Sequence, residues 1–127
     1  MLVKGGLKLA KILICDDSAF MRMMLRRVLE ENGHEVVGEA GDGQEAVQLY
    51  GEYKPDLVTM DITMPKMDGI EAVRHIHAKD STARIIMVTA IGQKTIITDA
   101  IAAGAADFIV KPFDAVQVVA TIEKVLE

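Results

Sequence analysis

Leu57-Val-Thr-Met-Asp-Ile-Thr-Met-Pro65 begins as a strand and then breaks off. An apolar-rich run leads into Asp61, and Met64-Pro65 follows closely. The residue before a proline is kept extended and out of a helix, so Asp61 falls where a strand stops rather than inside a polar loop. Working outward, Ile12-Leu-Ile-Cys15 runs into Asp16-Asp17 in the same way. Short β-branched runs of this kind are expected as strands at Lys11 to Cys15, Glu35 to Ala40, Leu57 to Asp61, Ile85 to Thr89 and Asp107 to Val110. Each is followed by a longer stretch with helical spacing of apolar residues. That alternation predicts an α/β domain with a parallel sheet. The first and fourth runs are almost continuously apolar, as strands covered on both faces are.

The helices carry start signals. Asp42-Gly-Gln-Glu45, Asp68-Gly-Ile-Glu71 and Asp114-Ala-Val-Gln117 each place Glu or Gln three residues after an Asp that can accept bonds from first-turn N–H groups. They are expected to open the second, third and fifth helices. The first helix is expected from near Ser18 to Asn32-Gly33, and the fourth from about Gln93 to Ala103, stopping at Gly104. Residues 1–9, with Gly5-Gly6 and no periodicity, read as a loose extension leading into the first strand, and residues 10–127 as one domain.

A chain of 127 residues, 50% hydrophobic, has the size of one domain and leaves no room for a fused effector. With 14 Lys plus Arg against 19 Asp plus Glu, the net charge of −5 speaks against a nucleic-acid surface, which needs a basic field. The single cysteine, Cys15, makes no internal disulfide, no secretory leader opens the chain, and no uncharged apolar run is long enough to span a bilayer. A soluble, cytoplasmic protein without membrane insertion is expected.

In an open parallel sheet, ligands bind beyond the carboxyl ends of the strands. Here those ends offer Asp16-Asp17, Asp61, Thr89 and Lys111-Pro112. Three carboxylates in one crevice repel one another, and a divalent cation most readily offsets the cost. Hard oxygen donors in this number suit Mg²⁺.

These residues resemble the receiver domains of two-component response regulators. The resemblance runs from Leu9 onward and is carried by Asp16-Asp17, by Asp61 with Met64-Pro65 and Asp68-Gly69, by Thr89-Ala90, and by Lys111-Pro112-Phe113. Ala19-Phe-Met-Arg-Met-Met-Leu25 and Asp107-Phe-Ile-Val-Lys-Pro-Phe113 are similar to the stand-alone chemotaxis members. The resemblance implies a flavodoxin-like, doubly wound sheet of five parallel strands in the order 2-1-3-4-5 with five helices, an order for which chemotaxis receivers are themselves a known example. It further implies that Asp61 is a phosphoacceptor for a histidine kinase, that Asp16, Asp17, Asp61 and the Thr63 carbonyl hold Mg²⁺, and that Lys111 and Thr89 serve the phosphoryl group. The Lys111-Pro112 bond is expected to be cis. The implied protein is a monomeric switch rather than an enzyme. Its implied partners are a chemotaxis histidine kinase, the flagellar motor switch protein and a dedicated phosphatase.

Two positions depart from the pattern. Phe108 stands where many chemotaxis regulators carry Tyr, yet a ring can still turn inward behind Thr89, so Thr89 and Phe108 are the expected switch pair. Ile91 is apolar where a polar side chain is often found. The output surface is expected on the fourth helix, the fifth strand and the fifth helix, around Ile97, Ala100, Phe108 and Val110.

Other motifs carry less. His75 and His77 are two apart on a helix and diverge, so with His34 they read as surface histidines; Cys15 reads as an inert buried thiol. Most of Met21, Met23, Met24, Met60, Met64, Met67 and Met87 read as core filling where aromatics are only 4%. No Gly-x-x-x-x-Gly-Lys loop is present. A Mg²⁺-dependent aspartyl phosphatase is disfavoured because Thr63 stands where such enzymes resemble Asp-x-Asp. A flavodoxin-like carrier lacks a clear flavin-stacking pair. A stand-alone phosphorelay intermediate remains the alternative function.

Overall fold

Five parallel strands form the central sheet of the computed structural model, which describes residues 2–4 and 7–127. They are β1 (Lys11–Cys15), β2 (Glu35–Ala40), β3 (Leu57–Met60), β4 (Ile85–Thr89) and β5 (Asp107–Val110). Their order across the sheet is β2-β1-β3-β4-β5, as expected, with every neighbouring pair parallel. Helices α1 (Ala19–Glu31), α2 (Gly43–Tyr53), α3 (Gly69–Lys79) and α4 (Lys94–Ala103) make the crossovers, and α5 (Ala115–Leu126) follows the last strand.

The two faces of the sheet are both covered. Leu13, Val58, Met60, Ile85 and Met87 pack against Ala46 of α2, Val73 and Ile76 of α3, and Ala100 and Ala103 of α4. Ile12, Ile14, Leu57, Ile86, Val88 and Ile109 pack against Leu25 and Leu29 of α1 and Val118, Ile122 and Leu126 of α5. In β1 and β4 alternate residues therefore feed opposite cores, which is why those two runs are almost continuously apolar.

Ser18, Asp42, Asp68 and Asp114 each cap their helix, accepting from Met21, Glu45, Glu71 and Gln117 N–H respectively. The reciprocal half of the capping box is not made as the pattern suggests. The Glu45 carboxylate reaches past the cap to Gly41 N–H, and Glu71 turns instead to Arg74 and His75.

Several expectations need correction. The third strand stops at Met60, one residue early, although Asp61 N–H still donates to Cys15 O across the sheet at 2.9 Å. The amino-terminal segment is not irregular throughout: Leu2–Lys4 and Leu7–Leu9 pair as an antiparallel hairpin, and Lys8 Nζ donates to Leu126 O at the end of α5. The Gly5-Gly6 pair lies outside the described residues. His34 is buried, not on the surface; its Nδ1 accepts from Ala10 N–H at 3.1 Å, filling a backbone bond that no strand neighbour makes. Met60, Met64 and Met87 are core, but Met23 and Met24 lie exposed on α1, because that helix faces the sheet through Leu25 and Leu29. Cys15 is buried, and burial pushes its thiol far above the ordinary range, which leaves it inert as expected.

Candidate functional site

The carboxyl ends of β1, β3 and β5 bring Asp16, Asp17, Asp61 and Lys111 together. One carboxylate oxygen from each of the three acids lies within 4.8 Å of the other two. Asp16 and Asp61 are buried and Asp17 is exposed, so two charges lie in the protein and one faces water. Lys111 Nζ bridges the buried pair, 2.7 Å from Asp16 Oδ2 and 3.2 Å from Asp61 Oδ2.

Burial pushes the Asp61 carboxyl above its ordinary value; the Lys111 ammonium opposes that rise and the Asp16 charge adds to it. Burial pulls the Lys111 ammonium down, but its bonds and charges to Asp16 and Asp61 together outweigh this and hold it above its ordinary value. The ammonium thus stays charged and offsets only part of the negative cluster. An all-oxygen carboxylate donor set with charge left over fits a hard divalent cation.

Asp16 is held from four sides. Its N–H donates to Ala40 O at 3.0 Å and its carbonyl accepts from Arg22 Nη1 at 2.6 Å. Its Oδ1 accepts from Ser18 N–H at 2.9 Å and its Oδ2 from Lys111. Arg22 was not visible as a site residue in the sequence. It lies a helical turn beyond the motif, and nothing in its spacing marks it.

The loop after β3 is held by two glycines. A Cβ on Gly69 would stand 1.9 Å from the Asp61 carbonyl oxygen, and one on Gly43 would stand 2.0 Å from the Met67 carbonyl oxygen. Asp42-Gly43 and Asp68-Gly69 therefore do more than start helices: the bare Cα lets the loop that carries Asp61 lie directly on the amino ends of α2 and α3. Gly69 N–H closes that loop onto Ile62 O at 2.7 Å.

Thr89 is buried at the end of β4, and its Oγ1 accepts from Ile91 N–H at 3.2 Å. Its backbone carbonyl accepts from Lys111 N–H at 2.8 Å, which ties the two strand ends together. Thr63 is exposed on the β3–α3 loop. Phe108 is 36% exposed, so it is not a plain core residue. Ala100 of the expected output surface is buried against the sheet instead, and Ile101, one position on, is a large hydrophobic that α4 exposes. The Lys111-Pro112 bond is cis, as expected.

An apolar groove of about 410 Å³ lined by Phe20, Met21, Met24, Ala90, Pro112 and Phe113 reaches Lys111. A larger cleft, about 510 Å³ beside Lys11, Glu35 and Asp56, lies at the amino ends of the strands, away from the carboxylates. Among the described residues, no helix is long and apolar enough to cross a membrane.

The model of the response regulator receiver domain matches residues 12–123. Chemotaxis protein CheY of Bacillus subtilis is 59% identical over 116 residues, covering 91% of this chain and 97% of that protein. Chemotaxis protein CheY of Thermotoga maritima is 54% identical over 115 residues, covering 91% and 96%. Among solved structures, the CheX-CheY-BeF3-Mg²⁺ complex from Borrelia burgdorferi has a chain that matches with a TM-score of 0.91 at 39% identity, over 96% of this chain and 92% of that one.

Proposed function

The chain belongs to the family of response regulator receiver domains, as a CheY-like, phosphorylation-activated regulator of chemotaxis, and from that premise we propose that Asp61 is its phosphoacceptor. The observation that carries this reading is the convergence of three carboxylates within 4.8 Å around a strand end, with the two buried ones bridged by one ammonium. An Asp61 oxygen attacks the phosphorus of a phosphohistidine on a chemotaxis histidine kinase; the new O–P bond forms as the N–P bond breaks, and the imidazole leaves. The chain is a switch that assists its own phosphorylation and dephosphorylation rather than an enzyme acting on a separate substrate.

The donor set fits Mg²⁺, with Asp16, Asp17, Asp61 and the Thr63 carbonyl as its protein ligands, and when bound the ion neutralises charge on the phosphoryl oxygens. Lys111 contributes a fixed positive charge at the same place. Thr89 Oγ1 already accepts from Ile91 N–H, which leaves its own O–H free to donate to a phosphoryl oxygen. A shift of Thr89 toward the phosphate draws the Ile91 end of the β4–α4 loop with it and opens space for Phe108 to turn inward.

The new bonds at Thr89 and Lys111 exist only in the phosphorylated state, so they bias the equilibrium toward the inward ring. The output face then comprises Ile97, Ile101, Phe108, Val110 and the neighbouring turn of α5. Its partner is an amphipathic segment of the flagellar motor switch protein, and a dedicated phosphatase resets the signal. The protein acts as a monomer in the cytoplasm.

Titrating a labelled motor-switch peptide against phosphorylated and unmodified protein tests this function. Tighter binding in the phosphorylated state, with NMR shifts on α4, β5 and α5, is expected. Equal affinity in both states, or shifts confined to α1, would point to a phosphorelay intermediate instead.

A further inference from the structure

The Asp16–Asp17 pair is steered from α1 by a side chain outside the carboxylate cluster. Arg22 Nη1 donates to the Asp16 carbonyl at 2.6 Å, while its Nε donates to Glu39 Oε1 at 3.0 Å. Glu39 lies on β2 beside Ile14 of β1, next to the Ala40 carbonyl that accepts from Asp16 N–H. Its other oxygen takes Arg26 Nε at 2.8 Å. The guanidinium is therefore clamped by a strand residue and pressed onto a main-chain carbonyl one residue short of Asp17.

A peptide unit is planar, so fixing the Asp16 carbonyl oxygen also fixes the Asp17 N–H and Cα that share its plane. Asp17 is the exposed member of the acidic trio and, apart from this peptide, has no bond from the protein that sets its direction among those described. Because the Arg22 charge is already matched by Glu39, its effect on the cluster is orientation more than neutralisation. Arginine suits this task through its rigid planar fork: Nε takes the carboxylate while Nη1, held at a fixed offset from it, reaches the carbonyl, whereas a lysine would have to meet both acceptors from a single nitrogen on a flexible stem.

We infer that Arg22 is a positioning residue for metal binding, holding the Asp16–Asp17 peptide so that the Asp17 carboxylate faces Asp61. This rests on reading Asp16 and Asp17 as metal ligands. Arg26 supplies the control, since it shares Glu39 but does not reach Asp16.

The test is isothermal titration calorimetry of Mg²⁺ into the intact protein, alongside the Asp17 amide NMR signal of the metal-free form. Arg22→Met is expected to weaken Mg²⁺ binding about tenfold, the scale seen when a partner that orients a metal ligand is lost. Arg22→Lys should fail to rescue it, and this variant also serves if Arg22→Met does not fold. Arg26→Met should lower the melting temperature about as much as Arg22→Met while leaving Mg²⁺ affinity unchanged. The Asp17 amide signal should broaden or shift in the Arg22 variants alone. Asp17→Asn separates the two claims: loss of Mg²⁺ binding in that variant upholds the ligand reading, and the Arg22 result then stands by itself. Unchanged affinity in Arg22→Met, or full rescue by Arg22→Lys, would overturn the inference. An unmodified protein that binds no Mg²⁺ would overturn both.

Discussion

Lys111→Met in the metal-free protein keeps the aliphatic stem and removes the ammonium that bridges Asp16 and Asp61. Those two carboxylates are 1% and 9% exposed in their side chains, and the lysine side chain is 15% exposed, so solvent replaces little of what is lost. Removing one partner of a buried pair costs about 3–5 kcal/mol. An upper bound comes from protonation. Neutralising an Asp at pH 7, roughly three units above its usual ~3.9, costs about 4 kcal/mol, so a carboxylate facing a larger penalty takes up a proton instead. A loss of about 3 kcal/mol is expected, which for a domain of this size is about 10 °C in melting temperature.

The pH dependence fixes the cause. In Lys111→Met the Asp61 carboxyl, already raised by burial, loses the group that opposed the rise. A carboxyl raised in the folded state adds stability that is complete below its unfolded value and lost as pH climbs through the folded value. The variant should therefore regain stability as pH falls from 7 toward 5, a window in which the unmodified protein gains less. Thermal melts at both pH values with and without Mg²⁺ read this directly, and Mg²⁺ should restore part of the loss by binding only the folded form. A variant that melts within about 2 °C of the parent at pH 7 would refute the electrostatic account.

Three further outcomes are expected. Asp17→Asn should stabilise the metal-free protein by removing one of three clustered charges and abolish most of the melting-temperature increase given by Mg²⁺; an undiminished increase would remove Asp17 from the ligand set. Thr59→Val should stabilise by about 1 kcal/mol, because the Thr59 hydroxyl is buried without a partner between Ile14 and Ile86; a less stable variant in chemical denaturation would show that the hydroxyl is satisfied. His34 is held below its ordinary value by burial, with Glu123 opposing, so its contribution is present above about pH 6.5 and is lost as pH falls through the lowered folded value. His34→Gln should flatten the acid side of the stability profile, and an unchanged slope would assign it to other groups.

The sheet was legible because each strand ends abruptly. Ile12 to Cys15 is apolar, and Leu57 to Met60 uncharged with Thr59 its one polar residue, up to a carboxylate, and a buried parallel strand cannot carry that charge further in. The three Asp caps were equally plain, since a first helical turn has unpaired N–H groups whatever surrounds it. What stayed hidden depended on which way a side chain faces in three dimensions. His34 sits in a polar stretch yet turns inward to an unpaired Ala10 N–H, and Ala100 turns to the sheet while Ile101 turns to water. Gly43 and Gly69 stood out as members of helix-start motifs, and the 2.0 and 1.9 Å approaches alone show that a loop rests on them. Arg22 reaches a backbone atom, and a main-chain acceptor leaves no trace in residue identity.

Mapping the phosphorylated residue tests the central claim most directly. The intact protein is incubated with a small phosphodonor and Mg²⁺, and the product is analysed by intact mass and by reductive trapping of the acyl phosphate. One acid-stable, base-labile phosphate on Asp61 is predicted, absent without Mg²⁺ and absent in Asp61→Asn. Undiminished labelling of Asp61→Asn, or a trapped residue elsewhere in the chain, would contradict it.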